Sequence, residues 1–232
     1  RVLFRSPIPG VTSNLGDLSY IYIHNGRIHA TDGNIAFRHD IETIPTDREY
    51  FKFNQWLVAF LDKQCVLSLD PTGVARVAYP DGSYVQATVD RADKFPSIAG
   101  YDALMEQEHE PRIKWKAKVS DWKALVKSMM PYFPKELGRM RLDSNGNASL
   151  WKYGELADTP VQCPVRQLKG ETWCGPLMEG LTGSFNPKLF MRLLDSCLNE
   201  DAVLTMIHTG SKGWIKDGQQ FNNMYGWKIE VE

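Results

Sequence analysis

The sequence lacks several features that mark particular classes of protein. Its 232 residues contain no uninterrupted apolar run near the roughly 18 residues that a membrane helix needs. Residues 1–10 also lack the apolar core and cleavage site of a secretory signal. These absences predict a cytosolic protein with no membrane partner. The chain begins at Arg1 rather than at methionine, which suggests that its natural start is missing.

Cysteine is scarce and scattered. The four cysteines, Cys65, Cys163, Cys174 and Cys197, form no CxxC pair. This pattern disfavours both a disulfide framework and a zinc knuckle, so we expect reduced, buried side chains. No carboxylate cluster has the spacing of a metal site either. The sequence therefore predicts neither a metal nor another cofactor.

Motifs for catalysis are incomplete. His39 and Asp40 are adjacent in a predicted strand, so they point to opposite faces and cannot act together. Segment 210–212 (GSK) lacks the upstream glycine and the following helix of a phosphate loop. Segment 183–185 (GSF) lacks the second glycine of a nucleophile elbow. We predict that the protein is not an enzyme, with an unrecognised metal-dependent nuclease or hydrolase as one alternative.

Charge is nearly balanced overall but unevenly distributed. The formal net charge is −1, yet residues 1–110 hold 10 basic and 15 acidic side chains, whereas residues 111–232 hold 17 and 13. Residues 111–141 alone carry nine basic and two acidic side chains. Such a run is usually a solvated face, but a basic patch confined to one region also fits a polyanionic partner.

Apolar periodicity and turn residues predict the secondary structure. Strands are expected in both halves, at 18–23, 27–31, 34–41, 65–69, 74–79, 84–89, 113–119, 140–142, 148–153, 161–167, 181–185, 203–208, 213–216 and 227–231. Three helices are expected, after caps at Asn54, Ser120 and Asn186. The second helix has a buried stripe formed by Trp122, Leu125, Val126 and Met129, and the third by Phe190, Leu193, Leu194 and Cys197.

These elements form a repeat. The order of strand, helix and then two or three strands recurs in residues 51–89, 113–170 and 181–232. Residues 18–41 supply the strands of a fourth unit, whose leading strand and helix are reduced or absent in residues 1–17.

The repeat predicts the fold class and the domains. Two such units side by side give the α+β arrangement, with helices on one face of antiparallel sheet. We therefore expect two similar domains, 1–98 and 112–232, joined by the polar linker 99–111.

Four segments resemble one family. Residues 29–37 (HATDGNIAF) and 93–98 (DKFPSI) resemble segments of the bacterial DNA polymerase III β subunit, and residues 185–194 (FNPKLFMRLL) resemble the clamp segment in which a strand leads into an inner helix. The terminal residues 227–232 (WKIEVE) are similar to the last strand and acidic tail of proliferating-cell nuclear antigen. These proteins belong to the DNA sliding clamp family, and the four matches occur in order along nearly the whole chain.

The resemblance implies a fold and a function. It implies a DNA-clamp-like fold and a processivity factor that encircles duplex DNA without reading its sequence, tethers a replicative DNA polymerase and needs a clamp loader. Two-domain length matches the clamps that close as trimers, so a homotrimeric ring with six domains is expected. A bacterial-like, two-domain clamp fits a phage or plasmid protein in the bacterial or phage-infected cytoplasm. The other alternative is a protein-interaction module that is not a clamp.

The resemblance and the helix patterns select candidate DNA contacts. The polar stripes of the last two helices, opposite their apolar stripes, should face the DNA, and the candidate residues are Lys118, Lys123, Lys127, Lys188 and Arg192. Their alternative role is solubility.

A pocket for partner peptides is the second candidate site. The resemblance places it on the outer face, beside the linker, and the candidate residues are Phe37, His39, Tyr101, Leu104, Met105, Trp227 and Ile229. Apolar residues in an otherwise polar linker suit an adaptable peptide site. Alternatively, the linker residues pin the linker to the domains.

Overall fold

The computed structural model describes most of the chain. The described residues are 20–24, 27–31, 35–40, 50–54, 65–70, 72–92, 112–134, 138–154, 157–175, 178, 180–197, 199–207, 212–217, 220–224 and 228–231. Three predicted features lie outside them: the helix after Asn54, the reduced first repeat in residues 1–17, and the linker 99–111.

The chain divides into two compact units. Unit 1 is Arg1–Glu106 and unit 2 is Gln107–Glu232. The division falls within the segment that the sequence assigns to the linker, whose boundaries stay a prediction.

Unit 1 contains eight described strands. They are β1 (Tyr20–His24), β2 (Arg27–Thr31), β3 (Ile35–Asp40), β4 (Tyr50–Asn54), β5 (Val66–Leu69), β6 (Val74–Ala78), β7 (Tyr84–Thr88) and β8 (Asp90–Ala92). One antiparallel sheet has the order β3-β2-β1-β4-β8, and a second has the order β5-β6-β7. The pairing of His24 with Arg27 confirms the predicted hairpin at Asn25-Gly26. Strand β8 was not predicted.

Unit 2 contains two α-helices, the short 3₁₀-helix Met130–Tyr132 and eleven strands. The α-helices are α1 (Val119–Met129) and α2 (Pro187–Asp195). The strands are β9 (Arg112–Lys118), β10 (Gly138–Leu142), β11 (Asn147–Lys152), β12 (Thr159–Pro160), β13 (Arg166–Gln167), β14 (Glu171–Cys174), β15 (Leu181–Phe185), β16 (Asp201–Ile207), β17 (Lys212–Asp217), β18 (Gln220–Met224) and β19 (Lys228–Val231). They form antiparallel sheets with the orders β14-β9-β16-β17-β18 and β12-β11-β10-β15-β19, and β13 also pairs with β11. The predicted α+β class is confirmed.

The core of unit 2 joins both helices to both sheets. Trp122 of α1 donates from Nε1 to the carbonyl of Ala202 in β16, at 3.3 Å, and its ring meets Phe190 of α2 edge to face, at 5.4 Å. Trp115 of β9 donates to the carbonyl of Asp143, at 2.9 Å. The predicted stripe of α1 is buried as expected. Cys197 was predicted to belong to the buried stripe of α2. It instead follows the end of α2 and is only partly buried.

The two helices start differently. Asn186 caps α2 as predicted, since its side chain accepts hydrogen bonds from the amides of Lys188 and Leu189. The predicted Ser120 cap of α1 is wrong, because α1 begins at Val119 after Lys118, whose side chain makes no capping bond. The amide of Val119 instead donates to the carbonyl of Glu200, at 2.7 Å, so a neighbouring segment satisfies the helix start.

The segment that follows β11 departs from its prediction. A continuous strand over 161–167 is wrong, since only β13 (Arg166–Gln167) pairs within that range, and β12 ends before it. Pro164, in the middle of the range, lacks the amide that a ladder requires. Strand β14 follows and was not predicted. Just before it, Gly170 packs so closely on β9 that an added Cβ would collide with the carbonyl of Lys116.

The remaining expectations concern the cysteines and membrane-spanning helices. None of the four cysteines, all of which lie in the described residues, forms a disulfide bond. Cys65 is buried, whereas Cys163, Cys174 and Cys197 are only partly so. None of the helices in the described residues has the length and apolar composition required to cross a membrane.

Candidate nucleic-acid interface

Helices α1 and α2 present their polar sides together. Each helix buries its apolar stripe in the shared core, so the opposite stripes form one surface, which we call the helix face. Its charged residues are Asp121, Lys123, Lys127, Lys188, Arg192 and Asp195. Four of the five predicted DNA contacts are therefore brought together.

The cations of the helix face lie among carboxylates. Lys123 and Asp195 form an ion pair of 2.9 Å that links the two helices. Lys127 and Arg192 lie in the last turns of their helices, where positive charge complements the helix dipole. The ammonium of Lys188 lies 5.7 Å from the ring of Phe133. With four cations and two carboxylates, the face is positive but not densely charged.

Lys118 lies apart from the other four. It ends β9, on the side of that strand that also carries Lys114 and Lys116. Its ammonium is 2.5 Å from Oε1 of Glu200. This hydrogen bond, together with the opposite charges, raises the pKa of Lys118 and lowers the pKa of Glu200. Lys118 is therefore already engaged by a carboxylate.

A second basic surface lies on the same side of β9. Ile113, Trp115 and Ala117 are buried, and the alternate residues point the other way. We call this side of β9 and β14 the sheet face, and it comprises Arg112, Lys114, Lys116, Lys118, Glu171 and Trp173. The alternation of basic residues was visible in the sequence. The neighbouring Trp173 was not, because β14 was not predicted.

The predicted peptide pocket is only partly described. The ring of Phe37 is 4% exposed and lies parallel to the ring of His39, at 6.3 Å, so Phe37 belongs to the core. Ile229 lies in β19, opposite Gly183 of β15, and nothing is described of its side chain. Tyr101, Leu104, Met105 and Trp227 lie outside the described residues. The pocket stays a prediction.

Side chains suited to chemistry are engaged in structural roles. Burial raises the pKa of the Cys197 thiol to about 12, so it stays protonated. Hydrogen bonds from the Thr72 and Ser83 side chains lower the pKa of Asp70 and Asp81, which shape turns. In the described part of the chain, no three His, Cys, Asp or Glu side chains converge on a point where a metal could bind.

Known structures share this fold. The chain superposes on the β clamp of Helicobacter pylori in complex with diflunisal, at a TM-score of 0.64 and 12% identity, over 97% of this chain and 62% of that one. It matches a DNA polymerase III β sliding clamp from Pseudomonas aeruginosa bound to griselimycin, at 0.63 and 15% identity, over 92% and 58%. A third match is the H. pylori β clamp bound to a DNA ligase peptide, at 0.60 and 14% identity, over 94% and 59%.

The comparisons establish the fold and the extent of the match. The chain has the DNA-clamp fold, as the sequence resemblance implied, and spans about three fifths of the length of these clamps. No family model matches the sequence, and no curated protein does.

Proposed function

We propose that the protein is a DNA sliding clamp, a processivity factor that encircles duplex DNA as a ring and has no chemistry of its own. The observation that supports this most is the clamp fold over 92–97% of the chain in the three matches above. The helix face adds the positive surface that a clamp needs toward the duplex. Partners would be a replicative DNA polymerase and a clamp loader, in the cytoplasm of a bacterium or an infected host.

The helix face suits contact with phosphates rather than bases. Lysine and arginine side chains on α1 and α2 can bind phosphate oxygens, and phosphate contacts carry no sequence information. Contacts of this kind depend on salt and not on sequence, so they allow a protein to slide. The carboxylates Asp121 and Asp195 reduce the net attraction further.

Ring closure would come from three copies. Among the described strands, β8 ends a sheet in unit 1 and β12 ends a sheet in unit 2. Open sheet edges invite uncontrolled pairing, and a head-to-tail ring covers them. Two units per chain require three chains to supply the six domains that the clamp resemblance implies.

The molar mass in solution tests this proposal. We expect light scattering to give about three times 26.4 kDa. A strict monomer at micromolar concentration would contradict a ring. Divalent-metal-dependent cleavage of DNA would favour a nuclease instead, and particles without a ring in electron microscopy would favour an interaction module.

A further inference from the structure

The sheet face points to a ligand that the clamp function does not use. We propose that it binds single-stranded nucleic acid, with the phosphates along β9 and a base stacked on Trp173. The inference depends on the geometry of unit 2 and goes beyond the encirclement of duplex DNA.

Strand geometry aligns the cations. Arg112, Lys114, Lys116 and Lys118 occupy every second position of β9, so their Cα atoms follow one line at intervals of about 6.8 Å. The three lysines are exposed. A regular row of cations on a flat strand provides a path for an extended polyanion.

Trp173 supplies an aromatic platform beside this row. It lies opposite Lys114 in the β14–β9 ladder, and its side chain is 52% exposed. The ammonium of Lys114 lies 5.3 Å from the centre of the ring. An indole that stays half exposed next to cations has the features on which bases stack in single-strand binding proteins.

Arg112 adds a positive charge that no carboxylate of the described residues pairs with. It is 7% exposed, and its Nε and Nη2 atoms have no hydrogen-bond partner in the described structure. Its guanidinium lies 5.7 Å from the ring of Trp214. Both atoms are buried, so Arg112 acts on an anion at the surface through its charge and not through a direct hydrogen bond. A buried cation without a counter-ion is costly, so a nearby anion gains favourable interaction energy.

The carboxylates described on the sheet face lie near Lys116 and Lys118, away from Arg112. Glu171 lies 3.9 Å from Lys116, and Glu200 holds Lys118. Asp201 is also opposite Lys118. In the described residues of β14, β9 and β16, no carboxylate pairs with the end that carries Arg112, Lys114 and Trp173. Among the described residues, the unpaired positive charge of the sheet face therefore lies toward Trp173.

This arrangement favours nucleic acid over an acidic peptide. A peptide strand would add along the edge of β14, using main-chain hydrogen bonds. The cations and the indole instead lie on the face of the sheet, across two strands, where a phosphate chain and a stacked base can be held together.

Binding of labelled oligothymidylate to the full-length protein at low salt tests the proposal. We expect Trp173→Ala to weaken binding by about five- to 150-fold, because it removes the stacking of one base, and Trp173→Phe to retain most of the affinity. Lys114→Glu with Lys116→Glu should weaken binding and reduce its salt dependence. The matched control is Lys152→Glu with Arg166→Glu, two exposed cations in β11 and β13 of the other sheet of unit 2.

A substitution of Arg112 distinguishes a role in binding from a role in stability. Arg112→Met removes the charge and keeps an elongated side chain, so the protein should unfold at the same or a higher denaturant concentration while binding the oligonucleotide more weakly. A structural role would instead lower stability and leave affinity unchanged.

Three results would overturn the proposal. They are absence of oligothymidylate binding by the parent protein, equal affinity in the parent and Trp173→Ala proteins, and preferential binding of a poly-glutamate peptide that the same variants abolish. The last result would identify an acidic peptide as the ligand. Since none of these outcomes depends on ring closure, a failure here is distinct from a failure of the proposed clamp function.

Discussion

The helix face and the sheet face of unit 2 have similar charged residues in different arrangements. On the helix face, cations four residues apart surround carboxylates, and Lys123 pairs with Asp195 across the two helices. On the sheet face, cations two residues apart form a row, and Glu171 and Glu200 lie toward one end of it. Backbone periodicity thus decides whether a similar set of charges produces an even field or a polarised one.

The aromatic residues of the two faces differ as well. Beneath the helix face, Trp122 and Phe190 are completely buried and anchor the helices. On the sheet face, Trp173 is half exposed and contacts a lysine. A positive surface anchored by buried rings favours sliding, whereas a polarised one that exposes an indole favours holding a base.

The largest expected effect is the difference in stability between two single variants, Trp122→Ala and Trp173→Ala. Trp122→Ala should lower the free energy of unfolding by about 3–5 kcal/mol, because it leaves a cavity under both helices and removes the hydrogen bond to the carbonyl of Ala202. Trp173→Ala removes an exposed side chain and should change stability by less than about 0.5 kcal/mol. Urea denaturation of both proteins measures the difference. Equal losses in the free energy of unfolding would contradict the structural difference between the two tryptophans.

Charge reversal on the helix face is the next largest effect. Lys123→Glu, Lys127→Glu, Lys188→Glu and Arg192→Glu together should weaken duplex DNA binding at low salt by at least about tenfold and reduce the salt slope by up to about 4. Fluorescence anisotropy over a salt series measures both quantities.

The control for this variant reverses four exposed cations elsewhere in unit 2, Lys152, Arg166, Lys169 and Lys216. We expect it to retain most of the duplex affinity. If the two quadruple variants bind duplex DNA equally, the helix face is only a solvated surface. Oligothymidylate binding should survive in the helix-face variant, which sharpens the contrast between the two faces.

The smallest effect concerns how the helices start. Asn186→Ala should destabilise the protein by about 1 kcal/mol, since the amides of Lys188 and Leu189 lose their acceptor. Lys118→Ala should leave the unfolding midpoint nearly unchanged, because the Lys118 side chain caps nothing and its ion pair with Glu200 is exposed. Thermal unfolding compares the two variants. A larger loss for Lys118→Ala would contradict this account of the α1 start.

Local patterns in the sequence predicted much of the fold. The stripe from Trp122 to Met129, the Asn186 cap and the hairpin at Asn25-Gly26 depend on neighbouring residues, so they could be read directly. The start of α1 depends instead on Glu200, which is distant in sequence. Strand β14 has four residues and little apolar character, so its sequence does not predict a strand. It is a strand because it pairs with β9.

In the candidate site too, local sequence predicts some features, and contacts between distant segments determine others. Helical spacing correctly grouped Lys123 with Lys127 and Lys188 with Arg192. The basic run 111–141 was treated as one patch, but the end of β9 and the start of α1 divide it between two faces. Lys118 is the last residue of β9, so it lies on the sheet face and not on the helix face.

Gly170 has a consequence for how this protein tolerates substitution. Any larger residue there would force β14 away from the carbonyl of Lys116, and Trp173 would move with the strand. The position contacts no proposed ligand and carries no functional group. In a saturation mutagenesis screen for oligothymidylate binding, it should nevertheless accept almost no replacement, as strictly as Trp173 itself.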